Sequence, residues 1–561
     1  MKDEDKATEI KRRFKYLEDQ RRYWDSGIWQ DIADYVIPIR EDLQGNKQPG
    51  QIRATKIYDG TAVEALNLFA DGLHGYMISP SIKWFTLRLP RQLREIENIP
   101  EVRLWIEDAQ NCIYSAFQNS NFYSEMRSFF KDGGSIGTAS LYMQEDIANG
   151  KLNFVCMHPR EGYIAEDQYG NVDTFFRKVK LTARQAMQNF GESNLSDPVK
   201  NAFKSNPYQE SQFIHAVFPR TDFDDRKMTS TNKRFASIWC ELNANKLLRE
   251  GGYDNFPYMI WRYMRSNEVY GYSPASFALP EIKGLNAIAK DLLGAAQMTV
   301  RPPYNIPIEM KDKVRLTPFG MNYYGSDYNR KITPVNTGMT FPIAMDREDK
   351  KREIINKHFH VDFFLMLQQA ERQMTATEIM ERMGEKASVL SASIGDLTST
   401  IDLIIDNVFL NETKAGRIPR LPDILRKYGG ANIDITYMGP LAQAQKRLFE
   451  TQGIKTGLDL AAPLLAIFPD TVDLIDADET IRELLVSNGF PQAALRTPEK
   501  VMEIRKQKSD QQIAEGQKVD QERITEILKK LSQASKNAGG VSGIQELSQL
   551  LAGGGMPQET V

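Results

Sequence analysis

Residues 341–419 read FPIAMDREDKKREIINKHFHVDFFLMLQQAERQMTATEIMERMGEKASVLSASIGDLTSTIDLIIDNVFLNETKAGRIP, and the architecture of the chain hangs on them. They predict two helices joined by a short polar loop, the first over 343–366 and the second over 376–415. In the second, Ile379, Met383, Ala387, Leu390, Ile394, Leu397, Ile401, Ile404 and Val408 recur in steps of three and four. That spacing keeps one apolar stripe on a single helical face. Thr375 and Glu378 fit a capping box at its start, and Lys414, Gly416 and Pro419 supply stop signals at its end. Such a helix is about 60 Å long at 1.5 Å per residue, enough to reach across an assembly. Its other face carries the small residues Gly384, Ser388, Ser391, Ser393, Gly395, Thr398 and Ser399, which admit a close neighbour. Two readings stand: an interior helix of a large bundle, or a helix shared between subunits.

The first helix opens with an unbroken run of eight charges, Asp346–Glu353, then turns apolar at Ile354, Ile355, Phe359, Phe363 and Phe364. Asp346/Lys350 and Glu348/Arg352 are favourable i,i+4 pairs, each contributing a few tenths of a kcal/mol. With no apolar stripe of its own, the run is expected to be solvated on every side.

The 561-residue chain is long enough for two to four domains, and its ordinary apolar and charged content fits a globular protein. A formal net charge of -3 argues against a dedicated, tight nucleic-acid binder, which carries a basic excess. The opening residues lack the pattern of a signal peptide, and no run of 18 apolar residues is present to span a membrane. Cys112, Cys156 and Cys240 are odd in number and far apart, so buried free thiols from a reducing compartment are expected.

Taken in order, the chain predicts helices over 4–37, a polar loop at 40–53, and a helix opened by a Thr61/Glu64 capping box. A strand at 83–89 follows, with Phe85, Leu87 and Leu89 on one face, then a helix burying Val102, Ile106, Ala109, Ile113 and Phe117. A short aromatic helix at 121–131 is expected to stop at Gly133-Gly134. From 135 to 264 the texture is that of strands, with hairpins turning at 148–150 and 168–171 and a short helix capped by Thr182. Ser273-Pro274 then starts a helix carrying Leu279, Ile282, Leu285, Ile288, Leu292 and Ala296. The fold class is therefore α+β, predominantly α. Residues 304–342 predict a small β-containing module between two long helices, 433–437 a strand, and 441–508 broken helices. The tail from 532 is poor in apolar anchors and is expected to be disordered.

Catalytic motifs are missing. No phosphate-binding GxxxxGK[ST] loop, HExxH pair or GxSxG elbow occurs. Gly133–Gly137 lies between helix and strand, the reverse order for a phosphate cradle, and fits a tight turn. His358 and His360 stand two apart on a predicted helix and do not face each other. Asp222, Asp224 and Asp225 lack the glycine and distal glutamate of a calcium loop. Asp470, Asp473, Asp476, Asp478 and Glu479 sit at predicted helix starts, where carboxylates favour the dipole. No enzyme activity, cofactor or metal is expected.

An ordered series of segments runs through the chain. Trp24 and Trp29-x-x-Ile32-Ala33 come first, then Ile57-Tyr58-Asp59-Gly60-Thr61, Trp84-Phe85, Ser120-Asn121-Phe122 and Gly137-Thr138-Ala139. Thr375-Ala376-Thr377-Glu378, Glu381-Arg382, Gly416–Pro419 and Gly439–Gln443 follow, then Asp476, Asp478, Gly489-Phe490-Pro491 and Arg496-Thr497-Pro498. Together, over about 12–508, they resemble the portal, or head-to-tail connector, proteins of podovirus-type bacteriophages.

The resemblance implies a subunit with a wing at 1–272, stem helices at 273–299 and 343–367, and a clip at 300–342. A channel loop at 368–375, a long wing helix with its return strand at 376–439 and a helical crown at 440–508 complete it, leaving 509–561 as a C-terminal helix and tail. It further implies a dodecameric ring at one capsid vertex, in the virion at the head–tail junction and assembled in the host cytoplasm. Double-stranded DNA would pass through that ring non-specifically. The implied partners are major capsid and scaffolding proteins, the terminase large subunit and tail adaptors, with no membrane. Gln368, Gln369, Glu371, Arg372 and Gln373 would face DNA from the channel loop. Asp346, Glu348, Lys350, Lys351, Arg352, Glu353 and Lys357 would line the stem channel or pair between subunits. Lys311, Lys313, Arg315, Arg330 and Lys331 would form the docking face of the clip. A non-ring helical scaffold or adaptor of the virion is the alternative, sharing the long helix but not the inserted module.

Overall fold

In the computed structural model the described residues are 3–40, 43, 50–51, 54–146, 150–224, 226, 229–306, 308, 314, 332–334, 341–369, 376–427, 434–438, 478, 481 and 500–508. The chain divides into two units, Met1–Leu458 and Asp459–Val561. In the second, Arg505 makes two parallel bonds of 2.7 Å to the Asp478 carboxylate. The remaining acids of the 470–479 cluster lie outside the described residues.

The first unit opens with α1 (Asp3–Trp24), a π-helical turn at Asp25–Trp29, and α2 (Gln30–Tyr35). Then come α3 (Thr61–Met77), β1 (Phe85–Arg88), α4 (Pro100–Gln118) and α5 (Phe122–Ser135). Their apolar stripes meet in one aromatic-rich core, where Trp84, Phe85, Phe117 and Phe122 are fully buried. The predicted cap of α3 is replaced. Thr61 is its first helical residue, and the Asp59 carboxylate accepts the Thr61 N–H at 2.9 Å instead.

Gly133-Gly134 does not end α5 but lies inside it, because the core needs close approach there. A Cβ at Gly133 would sit 2.1 Å from the Trp261 ring, and one at Gly134 would sit 2.8 Å from Phe69. The chain turns at Gly137 (φ +85°), where a side chain would strike the Gly271 carbonyl.

Strands β2 (Thr138–Asp146) and β3 (Lys151–Cys156) form the first predicted hairpin, and β4 (Gly162–Glu166) and β5 (Val172–Thr182) the second. Helix α6 (Ala183–Phe190) has the Thr182 cap, completed by Gln185. Next come α7 (Asp197–Ser205), β6 (Glu210–Pro219), β7 (Phe235–Glu241), β8 (Leu247–Tyr253) and β9 (Tyr258–Arg262). They build a three-stranded sheet of order β3-β2-β9 and a five-stranded antiparallel sheet of order β4-β5-β6-β7-β8. Neither α7 nor β8 is predicted. The Gly251-Gly252 pair of β8 mimics a turn, and pairing with β7 holds it extended.

Helix α1 lays Ala7, Ile10, Phe14 and Leu17 on one face of the larger sheet, against Phe176, Ile214 and Ile238. Helices α6 and α7 pack on the opposite face, against Val179, Phe213 and Leu248. Cys156 and Cys240 are buried as expected. Cys112 is half-buried, and all three are free.

Between the two sheets His215 is entirely buried, with Nδ1 3.0 Å from the Tyr258 hydroxyl, Nε2 2.9 Å from Ser237 Oγ, and its ring stacked on Trp239. Burial first, then the Arg177 and Arg249 charges, push its pKa down to about 3. The unfolded chain therefore takes up a proton near pH 6.5 that the folded chain refuses, and stability falls as pH drops through that window. A loss on the order of 2–3 kcal/mol by pH 4.5 is expected. Urea titrations between pH 7 and pH 4.5 measure it, with His215→Gln flattening the slope. An unchanged slope in that variant would refute the assignment.

The final part of this unit comprises α8 (Pro274–Val300), β10 (Tyr304–Asn305), β11 (Thr333–Pro334), α9 (Phe341–His358) and α10 (Val361–Gln369). Helix α11 (Ala376–Lys414), α12 (Asp423–Lys427) and β12 (Asp434–Tyr437) complete it. Strand β12 pairs antiparallel with β1, joining the end of the unit to its beginning. Helix α11 buries Leu397, Ile401, Ile404 and Val408, the second half of its predicted stripe. The side chains of its first half, and the cap residue Thr375, lie outside the described residues. The single helix predicted over 343–366 is two helices, broken where His360 takes φ +54°.

Candidate functional site

The candidate functional region is the pair α8 and α9 with the segments they lead into. Helix α8 starts as predicted: Ser273 Oγ accepts the Ser276 N–H at 2.9 Å, and Pro274 fills the first helical position. Leu279, Ile282 and Leu285 are buried, whereas Leu293, Met298 and Val300 near its far end are 51%, 48% and 79% exposed. The far end of α8 thus presents apolar side chains that the described residues of one chain leave exposed. β10 and β11 pair Tyr304 with Pro334 and Asn305 with Thr333, which draws the two ends of the predicted module together. Helix α9 then returns along α8.

The charge run of α9 is not solvated on every side. Glu348 is buried, Lys351 and Arg352 are half-buried, and Ile355 and Phe359 continue the same face into the core. Lys351 pairs with Glu281 of α8 at 2.5 Å. Arg352 Nε and Nη2 both bond Asp59 Oδ2, at 3.0 and 2.9 Å, while Nη1 meets Asp349 and Nη2 approaches Glu348 at 3.4 Å. Burial opposes the Asp59 charge, but the Thr61 hydroxyl and N–H and the Arg352 guanidinium outweigh it and hold the carboxyl below its usual range. On the outward face, Lys350 pairs with Asp346 and Lys357 with Glu353, both at 2.7 Å and both well exposed. Exposed pairs of this kind contribute little to stability.

Asn286 of α8 completes the junction, and sequence reasoning passed over it. Its Oδ1 accepts the N–H groups of Tyr58 and Asp59, at 2.7 and 3.0 Å. The available signal was an amide on an otherwise apolar helical face, since a buried amide needs partners. The segment Ile57–Thr61 is therefore tied to α8 through Asn286 and to α9 through Arg352.

Of the channel-loop residues, Gln368 and Gln369 end α10, with side chains outside the described residues. Glu371, Arg372 and Gln373 lie outside them altogether, as do Lys311, Lys313, Arg315, Arg330 and Lys331. Among the described residues no group of three or more His, Cys, Asp or Glu side chains is placed to hold a metal ion. Among them, too, no helix is long and apolar enough to cross a membrane.

A family model described as "Bacteriophage head to tail connecting protein" matches residues 7–495 without a break. The chain belongs to this family. It is similar to the "Probable portal protein" of Bordetella phage BPP-1, with 29% identity over 520 residues, 90% of this chain and 91% of that one. It is likewise similar to the "Portal protein" of Salmonella phage epsilon15, with 28% identity over 508 residues, 88% of this chain and 90% of the relative. The connector family is structural and non-enzymatic. The mixed helix-and-sheet connector subunit described above agrees with the α+β class read from sequence.

Proposed function

We propose that this connector chain is a portal subunit that closes into a ring at one capsid vertex and serves as the conduit for double-stranded DNA during packaging and ejection. The observation that carries this reading is the continuous family match over residues 7–495, which spans wing, helical hairpin and crown candidates alike. Residues 1–272 and 376–439 would form the wing, 273–299 and 343–367 the stem helices, 300–342 the clip, 368–375 the channel loop and 440–508 the crown. The apolar side chains at the far end of α8, which the described residues leave exposed, support contact with a second copy.

A chain of net charge -3 suits passage better than grip, because each phosphate held by Lys or Arg adds affinity that translocation must then overcome. Arg372 in a ring would make weak, repeated phosphate contacts or pair with Glu371 of a neighbour. The basic residues between 311 and 331 would dock the terminase and later the tail adaptors.

Negative-stain imaging of the purified chain, with native mass for the subunit count, tests the ring. Closed rings with a central hole support it. A monomer that stays open with scaffolding protein present would favour a non-ring adaptor. Deleting 368–374 is expected to leave rings intact while impairing DNA packaging or retention in a complementation assay. Rings that fail to form in the deletion would contradict the channel-loop assignment.

A further inference from the structure

The break between α9 and α10 is built by specific contacts on both sides. Helix α9 ends at His358. His360, in the left-handed region with φ +54°, then lends its carbonyl to the Phe363 and Phe364 N–H groups at 3.0 and 3.4 Å, starting α10. A non-glycine residue in that region holds its conformation only where the surroundings impose it.

On the near side of the joint, α9 is fastened to α8 by Lys351–Glu281, and to the lead-in of α3 by Arg352–Asp59. On the far side, α10 is fastened to α3. The Phe364 ring is buried against Gly72, where a Cβ would fall 2.2 Å from Cδ1, and it meets Phe69 edge-on and Tyr76 face-on. Phe69 also meets Phe359 at the joint itself. Helix α3 thus touches both arms, but α10 packs chiefly on α3, with a smaller contact to α11, whereas α9 rests mainly along α8.

We infer that α3 is a splint across a pivot at His360: it fixes the bend, and a displacement of α3 is passed to α10 while α9 stays seated on α8. Its importance for DNA passage rests on the ring reading, but the mechanical claim does not.

Hydrogen–deuterium exchange on the full-length chain tests the pivot, read on peptides covering 343–357 and 361–369. Gly72→Ala, which must displace Phe364, is expected to raise exchange in 361–369 at least tenfold while leaving 343–357 within twofold. Lys351→Met, which frees α9 from α8, is expected to do the reverse. Should Gly72→Ala fail to fold, Phe364→Leu removes the same contact without overpacking. Equal acceleration of both segments in either variant would overturn the pivot, as would no change in 361–369 with Phe364→Leu. Native mass on the same samples separates the two claims, since rings that persist without the exchange difference refute the pivot alone. An exchange difference in a chain that never forms rings refutes the ring alone.

Discussion

Arg21→Met is expected to destabilise the first unit by about 3–5 kcal/mol, the range for removing one partner of a buried charged network. Arg21 is 1% exposed on the inner face of α1. Its Nη1 donates to the Pro159 and Gly162 carbonyls at 2.9 and 2.6 Å, its Nη2 to the Arg160 carbonyl at 3.0 Å, and its Nε to Asp25 at 3.0 Å. The guanidinium also lies 3.8 Å from the Tyr163 ring centroid. One side chain thereby staples α1 to the 159–162 turn between the two sheets. Methionine matches its length but leaves three carbonyls and a half-buried carboxylate without a donor, so the loss exceeds that of a single hydrogen bond.

The pH dependence of that loss is a second signature. Burial already pushes the Asp25 carboxyl up, and the Arg21 charge pulls it back. Without Arg21 the deficit is expected to shrink as pH falls, because protonation removes the orphaned charge. Urea unfolding followed by tryptophan fluorescence at pH 8 and pH 5 measures both. A loss below about 1 kcal/mol would show that water replaces the staple.

Gly133→Ala is expected to cost about 3 kcal/mol, although helix propensity alone predicts a gain of about 1 kcal/mol for the same change. Packing wins because the new methyl would sit 2.1 Å from a ring that cannot retreat. Trp261 is 1% exposed and is boxed in by Phe129, Phe130 and Tyr263, with centroids 5.9–6.2 Å away. In a double-mutant cycle, Trp261→Leu is expected to make room, so that the two losses fall short of additivity by about 1–3 kcal/mol. Additive losses would mean that the glycine serves backbone geometry and not the tryptophan.

The elements most legible in the sequence are those whose physics is local. Helix α8 announces itself by Ser273-Pro274 and an i, i+3, i+4 apolar stripe, and α6 by its Thr182 cap. β2 with β3, and β4 with β5, follow from alternation around Gly-containing turns. Periodicity along 376–415 likewise marks α11, the longest helix described. The ordered series of short segments from Trp24 to Pro498 carried the family resemblance, which the match over 7–495 bears out. In each case a residue's preference and its surroundings ask for the same conformation.

Where the two disagree, contacts distant in sequence decided. Gly133-Gly134 has the chemistry of a stop, yet Trp261, more than a hundred residues on, turns it into a seat inside α5. The run Asp346–Glu353 has no apolar stripe, yet Asp59 and Glu281 give it a half-buried ionic face by supplying opposite charges. Arg21 carries no mark of burial in the sequence, and the 159–162 carbonyls that close around it are brought there by the fold. The break at His360 left no mark, since histidine, phenylalanine and valine forbid neither a continuous helix nor its interruption. Local propensities are worth tenths of a kcal/mol per residue, whereas filling a buried cleft or pairing a buried charge is worth several, so tertiary contacts prevail wherever they oppose propensity.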